Sequence, residues 1–129
     1  MKLLYFLPFL LIINVFSQNN FIDKNGLKQG YWKLYFPHLK DSVVSEEGVF
    51  LHDVEEGLWI KYHQSSQIRE ILNYQEGKLH GIRLFLSKNG KLQEQEFFFN
   101  GKYHGMQMYF YETGKLKTQI NYVHGIQDG

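Results

Sequence analysis

The 129-residue chain contains no cysteine. This absence excludes disulfide scaffolds, thiolate zinc sites, cysteine nucleophiles and lipid attachment to an N-terminal cysteine. The chain also lacks an excess of charge, because 14 basic and 13 acidic side chains leave a formal net charge of +1. A protein so close to neutral does not attract polyanions, so we predict no nucleic-acid partner. The length allows at most one domain.

No apolar segment is long enough to span a bilayer. The longest run, residues 3–16, has about 14 residues, against roughly 20 for a spanning helix. A run of this length after one positive charge is typical of a secretory signal, and Val15 and Ser17 are small enough to place cleavage after Ser17. An uncleaved anchor or a buried strand is the alternative. We predict a signal peptide over residues 1–17 and an exported domain over residues 18–129, located in the periplasm, in the cell envelope or outside the cell.

Aromatic residues are abundant, at 17% of the chain, and favour pleated sheet. They belong to a repeat of 24 residues in which two glycines stand four residues apart, with three residues inserted after Pro37. The glycine columns contain Gly26, Gly30, Gly57, Gly77, Gly81, Gly101, Gly105, Gly125 and Gly129. An aromatic column contains Phe50, Tyr74, Phe98 and Tyr122. The repeat units begin near Gly26, Asp53, Gly77 and Gly101, with a partial unit at Gly125.

Each unit has the pattern of a β-hairpin. Alternation places Met106, Met108 and Phe110 on one side of a strand, and equivalent apolar columns occur in the other units. A turn such as Asn89-Gly90 follows, and the paired glycines then reverse the chain into the next unit, where we expect a side chain to obstruct the bend. No helical period is present. The sequence predicts an all-β protein, an elongated single-layer antiparallel meander of about four repeated β-hairpins.

Three segments carry a family resemblance, with the sequences GKLHG at residues 77–81, NGKL at 89–92 and NGKYHG at 100–105. They resemble the MORN repeat variant, which occurs in bacterial YwqK-like antitoxins and in many exported proteins, and the similarity extends over about residues 25–129. The resemblance implies hairpins in a single-layer sheet and a role in binding or assembly rather than catalysis. It also implies an antitoxin-like inhibitor that holds a partner toxin, although an export signal fits poorly with a cytoplasmic toxin.

Two groups of side chains could suggest chemistry. His80 and His104 share one column, but equivalent positions lie about 9–10 Å apart, too far to share a zinc ion, so we expect them to support the turns. Glu94 and Glu96 project from one side of a strand at a spacing compatible with a glycosidase pair. We expect a solvated sheet face instead, because no apolar pocket is present to raise a carboxyl pKa.

No nucleophile elbow or phosphate loop occurs in the sequence. We predict no enzymatic activity, catalytic residue, metal or cofactor.

The face opposite the apolar columns is the candidate recognition surface. Its mixture of aromatic residues and arginine is enriched in binding interfaces. The candidate binding residues are Trp32, Trp59, Arg83, Phe85 and Tyr109. The alternative is that these are ordinary packing residues of strands. As a recognition surface, the face would bind another macromolecule, with a protein favoured. A weaker alternative is an envelope-associated module that contacts lipid or glycan through Trp32, Trp59 and Tyr109.

The last strand predicted from the repeat is a second candidate for binding. Gly129 falls where another strand should begin, which would leave residues 116–123 as an edge with only Lys117 to blunt it. Unpaired edges accept strands from other chains. We therefore expect edge-strand pairing with a second copy or with another protein.

Overall fold

A computed structural model describes residues 19–39 and 42–128. The predicted signal peptide and Gly129 lie outside the described residues. Within those residues no helix is long and apolar enough to cross a membrane. All regular structure in this part of the chain is β-strand, as the alternating pattern predicts.

Twelve antiparallel strands form one open sheet. In chain order they are β1 (Phe21–Ile22), β2 (Lys28–Tyr35), β3 (Val44–Leu51), β4 (Val54–Tyr62), β5 (Ile68–Gln75), β6 (Lys78–Leu79), β7 (Gly81–Leu86), β8 (Leu92–Phe99), β9 (Lys102–Tyr103), β10 (Gly105–Phe110), β11 (Leu116–Val123) and β12 (Ile126–Gln127). The pairing follows the chain in the order β1-β2-β3-β4-β5-β7-β8-β10-β11-β12, while the short strands β6 and β9 pair only with β5 and β8, respectively. The predicted single-layer meander of hairpins is confirmed. The expectation of a wholly open edge on β11 is wrong at its last two residues, which pair with β12.

The turns that join successive units are narrow. In each, both central residues have positive φ, as type I′ turns require; they are His52–Asp53, Glu76–Gly77, Asn100–Gly101 and His124–Gly125. The side chain before the second glycine of one unit accepts a hydrogen bond from the first backbone N–H of the next turn. For the two histidines, His80 Nδ1 and His104 Nδ1 each lie 3.3 Å from the donor nitrogen. Gln29 and Glu56 make the same contact, at 3.0 and 2.9 Å. His80 and His104 therefore support turns, as expected.

The turns within units are wider. The N–H of Ser87 donates to the carbonyl of Lys91, and the N–H of Gly90 donates to that of Ser87. Gly90 has a positive φ and Asn89 does not, so this is a type I turn followed by a left-handed glycine. Gly26 lies in a turn of this wider kind, although in sequence it aligns with glycines of the narrow turns.

The second glycine of each unit faces the aromatic column. Gly30, Gly57, Gly81 and Gly105 pair across the hairpin with Phe50, Tyr74, Phe98 and Tyr122, respectively. The expectation that crowding requires these glycines is wrong at Gly30 and Gly57, because nothing lies within 4 Å of a Cβ placed there. Their positive φ values, 73° and 71°, are the reason, since L side chains rarely adopt them.

A small apolar core lies on one face of the N-terminal half. Its buried residues are Trp32, Phe50, Trp59 and Leu72. The ring of Phe50 contacts both tryptophans edge-on, with centroid distances of 5.8 and 4.9 Å. Gly48 lies directly beneath Trp59, so that a Cβ there would overlap the indole ring. The core thus depends on the packing of the Trp59 indole against the bare backbone of Gly48.

Candidate functional site

The residues of one repeated cross-strand pair differ in polarity from unit to unit. The four equivalent pairs, 24 residues apart on the return strands, are Trp32–Gly48, Trp59–Leu72, Arg83–Glu96 and Gln107–Ile120. The face that carries these pairs is called the inner face here, and the opposite one the outer face. The inner face is apolar in the first two units, and the third and fourth units introduce buried polar side chains.

Arg83 is the centre of a polar cluster on the inner face. Its Nε donates to Glu70 Oε2 at 2.9 Å, and its Nη1 donates to Glu94 Oε2 at 2.8 Å and also to Glu96 Oε1. Glu96, only 3% exposed, accepts further hydrogen bonds from the hydroxyls of Tyr103 at 2.6 Å and Tyr109 at 2.9 Å. These six residues, the Arg83 cluster, connect strands β5, β7, β8, β9 and β10.

The charges of the Arg83 cluster stabilise one another. Burial opposes the positive charge of Arg83, but hydrogen bonds to Glu94, Glu70 and Glu96 raise its pKa above the usual value. Burial, followed by hydrogen bonding to Glu96, raises the pKa of the Tyr103 and Tyr109 hydroxyls, which keeps them protonated as donors. The charged and hydroxyl groups of the cluster therefore find their hydrogen-bonding partners within the cluster itself.

The glutamate pair considered for glycosidase chemistry belongs to this cluster. Glu94 and Glu96 both form ion pairs with the guanidinium of Arg83, so the two carboxyl groups are partners of one cation on the sheet. The expectation that both face solvent is wrong for Glu96. The reason is that Arg83 and two tyrosine hydroxyls replace the water that its carboxyl group would lose on burial.

The candidate binding residues on the inner face have different surroundings. Trp59 is 1% exposed and Trp32 is also buried, so their interpretation as a contact surface is wrong, and the packing alternative holds for both. A lipid or glycan contact through these two indoles is excluded for the same reason. Arg83 and Tyr109 are engaged in the Arg83 cluster, and the ring of half-buried Phe85 lies 5.8 Å from the guanidinium carbon of Arg83. The inner face is therefore mainly a packed surface.

Gln107 is a buried residue that sequence reasoning missed. Its side chain is fully buried, and its amide oxygen accepts from the N–H of Phe97 at 2.7 Å. Its amide nitrogen donates to the carbonyls of Phe97 and Gly105, both at 3.1 Å. Trp59 makes the equivalent contact, since its indole N–H donates to the carbonyl of Val49 at 3.1 Å. The signal that could have found Gln107 is its place in the tryptophan column.

The histidines that approach each other come from different columns. The rings of His104 and His124 lie 5.0 Å apart between centroids, and both contact Phe99. Equivalent positions did not predict this pair, because His124 lies in a narrow turn whereas His104 precedes the second glycine of the unit before it, and the two meet where the turn N–H donates to His104 Nδ1. Among residues 19–39 and 42–128, no group of three or more histidines or carboxylates could hold a metal ion.

The outer face carries a continuous row of paired residues. From one side of the sheet to the other, the row is Lys33, Glu47, Ile60, Ile71, Leu84, Gln95, Met108 and Gln119. Beside it stand four exposed apolar side chains, Val49, Leu58, Ile82 and Met106, with exposed fractions of 37–59%. We call Ile60, Ile71, Leu84 and Met108, together with these four, the outer apolar face. Contiguous exposed apolar surface of this kind marks interaction sites.

Tyr62 is a tyrosine of the outer face whose ionisation is coupled to a hydrogen bond. Its hydroxyl donates to Glu47 Oε1 at 2.9 Å. Burial, followed by this hydrogen bond and the charge of Glu47, raises the pKa of Tyr62 to about 12.

We expect the protein to lose stability as the pH rises from about 10 to about 12, because the unfolded state releases the tyrosine proton first. Below pH 10 this contribution is fully present. Urea titrations across this range, with phenolate absorbance to follow ionisation, measure both effects. Tyr62→Phe should make the alkaline decline less steep without abolishing it, because the pKa values of Tyr103 and Tyr109 are also raised. An unchanged decline would contradict the role of Tyr62.

The family model described as the MORN repeat variant matches residues 55–76, 79–102 and 103–124, together more than half of the chain. No curated protein and no solved structure matches the chain. The matched segments contain the second glycines Gly57, Gly81 and Gly105 and nearly all of the hairpin strands of three successive units, together with the narrow turn at Asn100–Gly101. The chain therefore belongs to the MORN repeat variant family.

Proposed function

We propose that the chain is an exported, non-enzymatic repeat protein that binds another protein through its outer apolar face. MORN repeats generally serve as modules that bind proteins or membranes. The observation that carries the proposal is the set of exposed apolar side chains beside the Ile60–Ile71–Leu84 segment of the outer row. A single-layer sheet has no second layer of its own to cover this face.

The outer face supports this role better than the inner face. On the inner face the tryptophans are buried and the polar groups already bind one another. A protein partner is favoured over an anionic membrane because the outer row contains one cation, Lys33, paired with Glu47, whereas attraction to anionic lipids needs a cluster of basic residues.

Export rests on the apolar run within residues 1–17, which has the length and the small flanking residues of a secretory signal. A YwqK-like, antitoxin-like inhibitor would be one form of this function, with a toxin as the bound protein. Export places such a partner outside the cytoplasm.

Affinity capture tests the proposal. The complete coding sequence is expressed with a C-terminal tag in the native host, so that residues 1–17 are processed as in the cell. Proteins retained by the wild type should be lost from a variant with Leu58→Ser and Ile82→Ser. A control variant with Ile22→Ser and Ile126→Ser changes two exposed apolar residues at opposite ends of the sheet. This control should still retain the bound proteins. Equal capture by all three proteins would overturn the proposal.

A further inference from the structure

We infer that the occupant of the outer apolar face is a second copy of this chain, packed face to face to form a two-layered dimer. This inference rests on the proposed function, since it names the protein that the outer apolar face binds. The closest structural parallel is a β-sandwich, in which the apolar faces of two sheets form one core about 10 Å thick.

The composition of the face favours a permanent occupant. Between Ile60 and Gln119 the outer row contains no charged residue, and its apolar members are isoleucine, leucine and methionine. Permanent homodimer interfaces resemble a domain core cut in half, whereas the interfaces of transient partners are no more apolar than the rest of the surface. An aliphatic face without charges at its centre therefore fits a partner that is always present.

The order of residues in the row suits two-fold symmetry. An axis between Ile71 and Leu84 would place Ile71 against the partner's Leu84, and Ile60 against the partner's Gln95. The only carboxylate of the row, Glu47, would face the partner's Met108, while its own copy supplies a hydrogen bond from Tyr62. Like charges would not meet, which is the condition for a patch to pair with itself.

The size of the face is adequate for a stable dimer. The row crosses eight strands, which at about 4.8 Å per strand gives a width of about 38 Å. A length of about five residues along each strand gives about 17 Å, and hence a projected area of about 650 Å². Stable interfaces bury about 800 Å² of accessible surface per partner, and an uneven surface of side chains exposes more than its projection.

Sedimentation velocity over a range of protein concentrations tests the inference on the protein purified from its native host. The wild type should have the mass of a dimer. Ile82→Asp should raise the dimer dissociation constant roughly 100-fold or more, because it buries an unpaired charge in the interface. The control Ile126→Asp should remain dimeric, and circular dichroism shows whether each variant is folded. A wild type that is monomeric at every concentration, or a folded Ile82→Asp variant that stays dimeric, would overturn the inference.

The absence of cysteine allows a second, independent measurement. A short bismaleimide should join two copies of the Ile82→Cys variant and should not join two copies of Lys91→Cys, whose residue lies in an exposed turn. Equal cross-linking of both variants would contradict face-to-face packing. If the wild type is monomeric and affinity capture still depends on Leu58 and Ile82, this inference fails while the proposed function stands.

Discussion

Replacing Arg83 with methionine is expected to lower the free energy of unfolding by about 3–5 kcal/mol. The substitution removes the donor shared by Glu70, Glu94 and Glu96. Glu96 would then be buried with only two tyrosine hydroxyls to replace its lost hydration. Urea unfolding followed by tryptophan fluorescence measures the loss.

Two further variants test whether the loss of stability comes from the Arg83 cluster or from removing any positive charge. Lys61→Met removes a cation that lies 3.7 Å from Glu46, and should cost no more than about 1 kcal/mol because this pair is partly exposed. Adding Glu96→Leu to Arg83→Met should recover at least half of the loss, because the pair then resembles the apolar Trp59–Leu72 pair of the previous unit. A double variant as unstable as Arg83→Met would show that Glu96 does not carry the effect.

Truncating Trp59 to alanine is expected to cost about 3–5 kcal/mol, because it empties the centre of a small core. Gly48→Ala should cost about 1–3 kcal/mol by the opposite effect, since its methyl group would overlap the indole ring. Leu116→Ala is the control, because its side chain is exposed and lies outside both the core and the outer apolar face, so it should contribute little. Thermal and urea unfolding of the three variants give the comparison.

The two core substitutions should not be additive. In the Trp59→Ala background, the methyl group of Gly48→Ala enters space that the indole has left, so the second substitution should cost much less than it does alone. A coupling energy of about 1 kcal/mol or more is expected for residues in such contact. Additive effects would show that Gly48 and Trp59 act independently.

A single-layer sheet is held together by contacts on its inner face, which leaves its outer face free to bind. In the N-terminal half, Trp59 packs over Gly48, and in the C-terminal half Arg83 connects carboxyl groups from neighbouring strands. Both arrangements lie on the inner face. Substitutions at Leu58 or Ile82 on the outer apolar face therefore leave both arrangements intact.

The strand pattern could be predicted from the chain because its causes are local. Alternation over Met106, Met108 and Phe110 and the period of the paired glycines can be read from the sequence, and the predicted strand at 116–123 has the observed bounds. Sequence reasoning was less successful with Gly26, whose place in the repeat is regular but whose turn is wider, because turn width depends on hydrogen bonds that the spacing of glycines does not reveal.

The candidate site could not be predicted in the same way. The sequence predicts a contact surface for Trp32 and Trp59 and a solvated one for Glu96, yet all three are buried. The place of Gln107 in the tryptophan column is visible in the sequence, but the backbone groups of Phe97 that satisfy its buried amide are not. Each of these outcomes depends on what stands opposite on the next strand rather than on the residue's own neighbours in sequence.

The amino-acid sequence by itself determined the repeat length, the hairpins and the family, because these follow from backbone preferences at glycine and from alternation along one strand. Only the tertiary structure decided which face is packed and which is exposed. Alternation divides the side chains of a single-layer sheet into two sets but does not say which set is buried. That choice follows from cross-strand fit, with an indole over a glycine and a guanidinium among carboxyl groups on one side, and aliphatic side chains without a covering layer on the other.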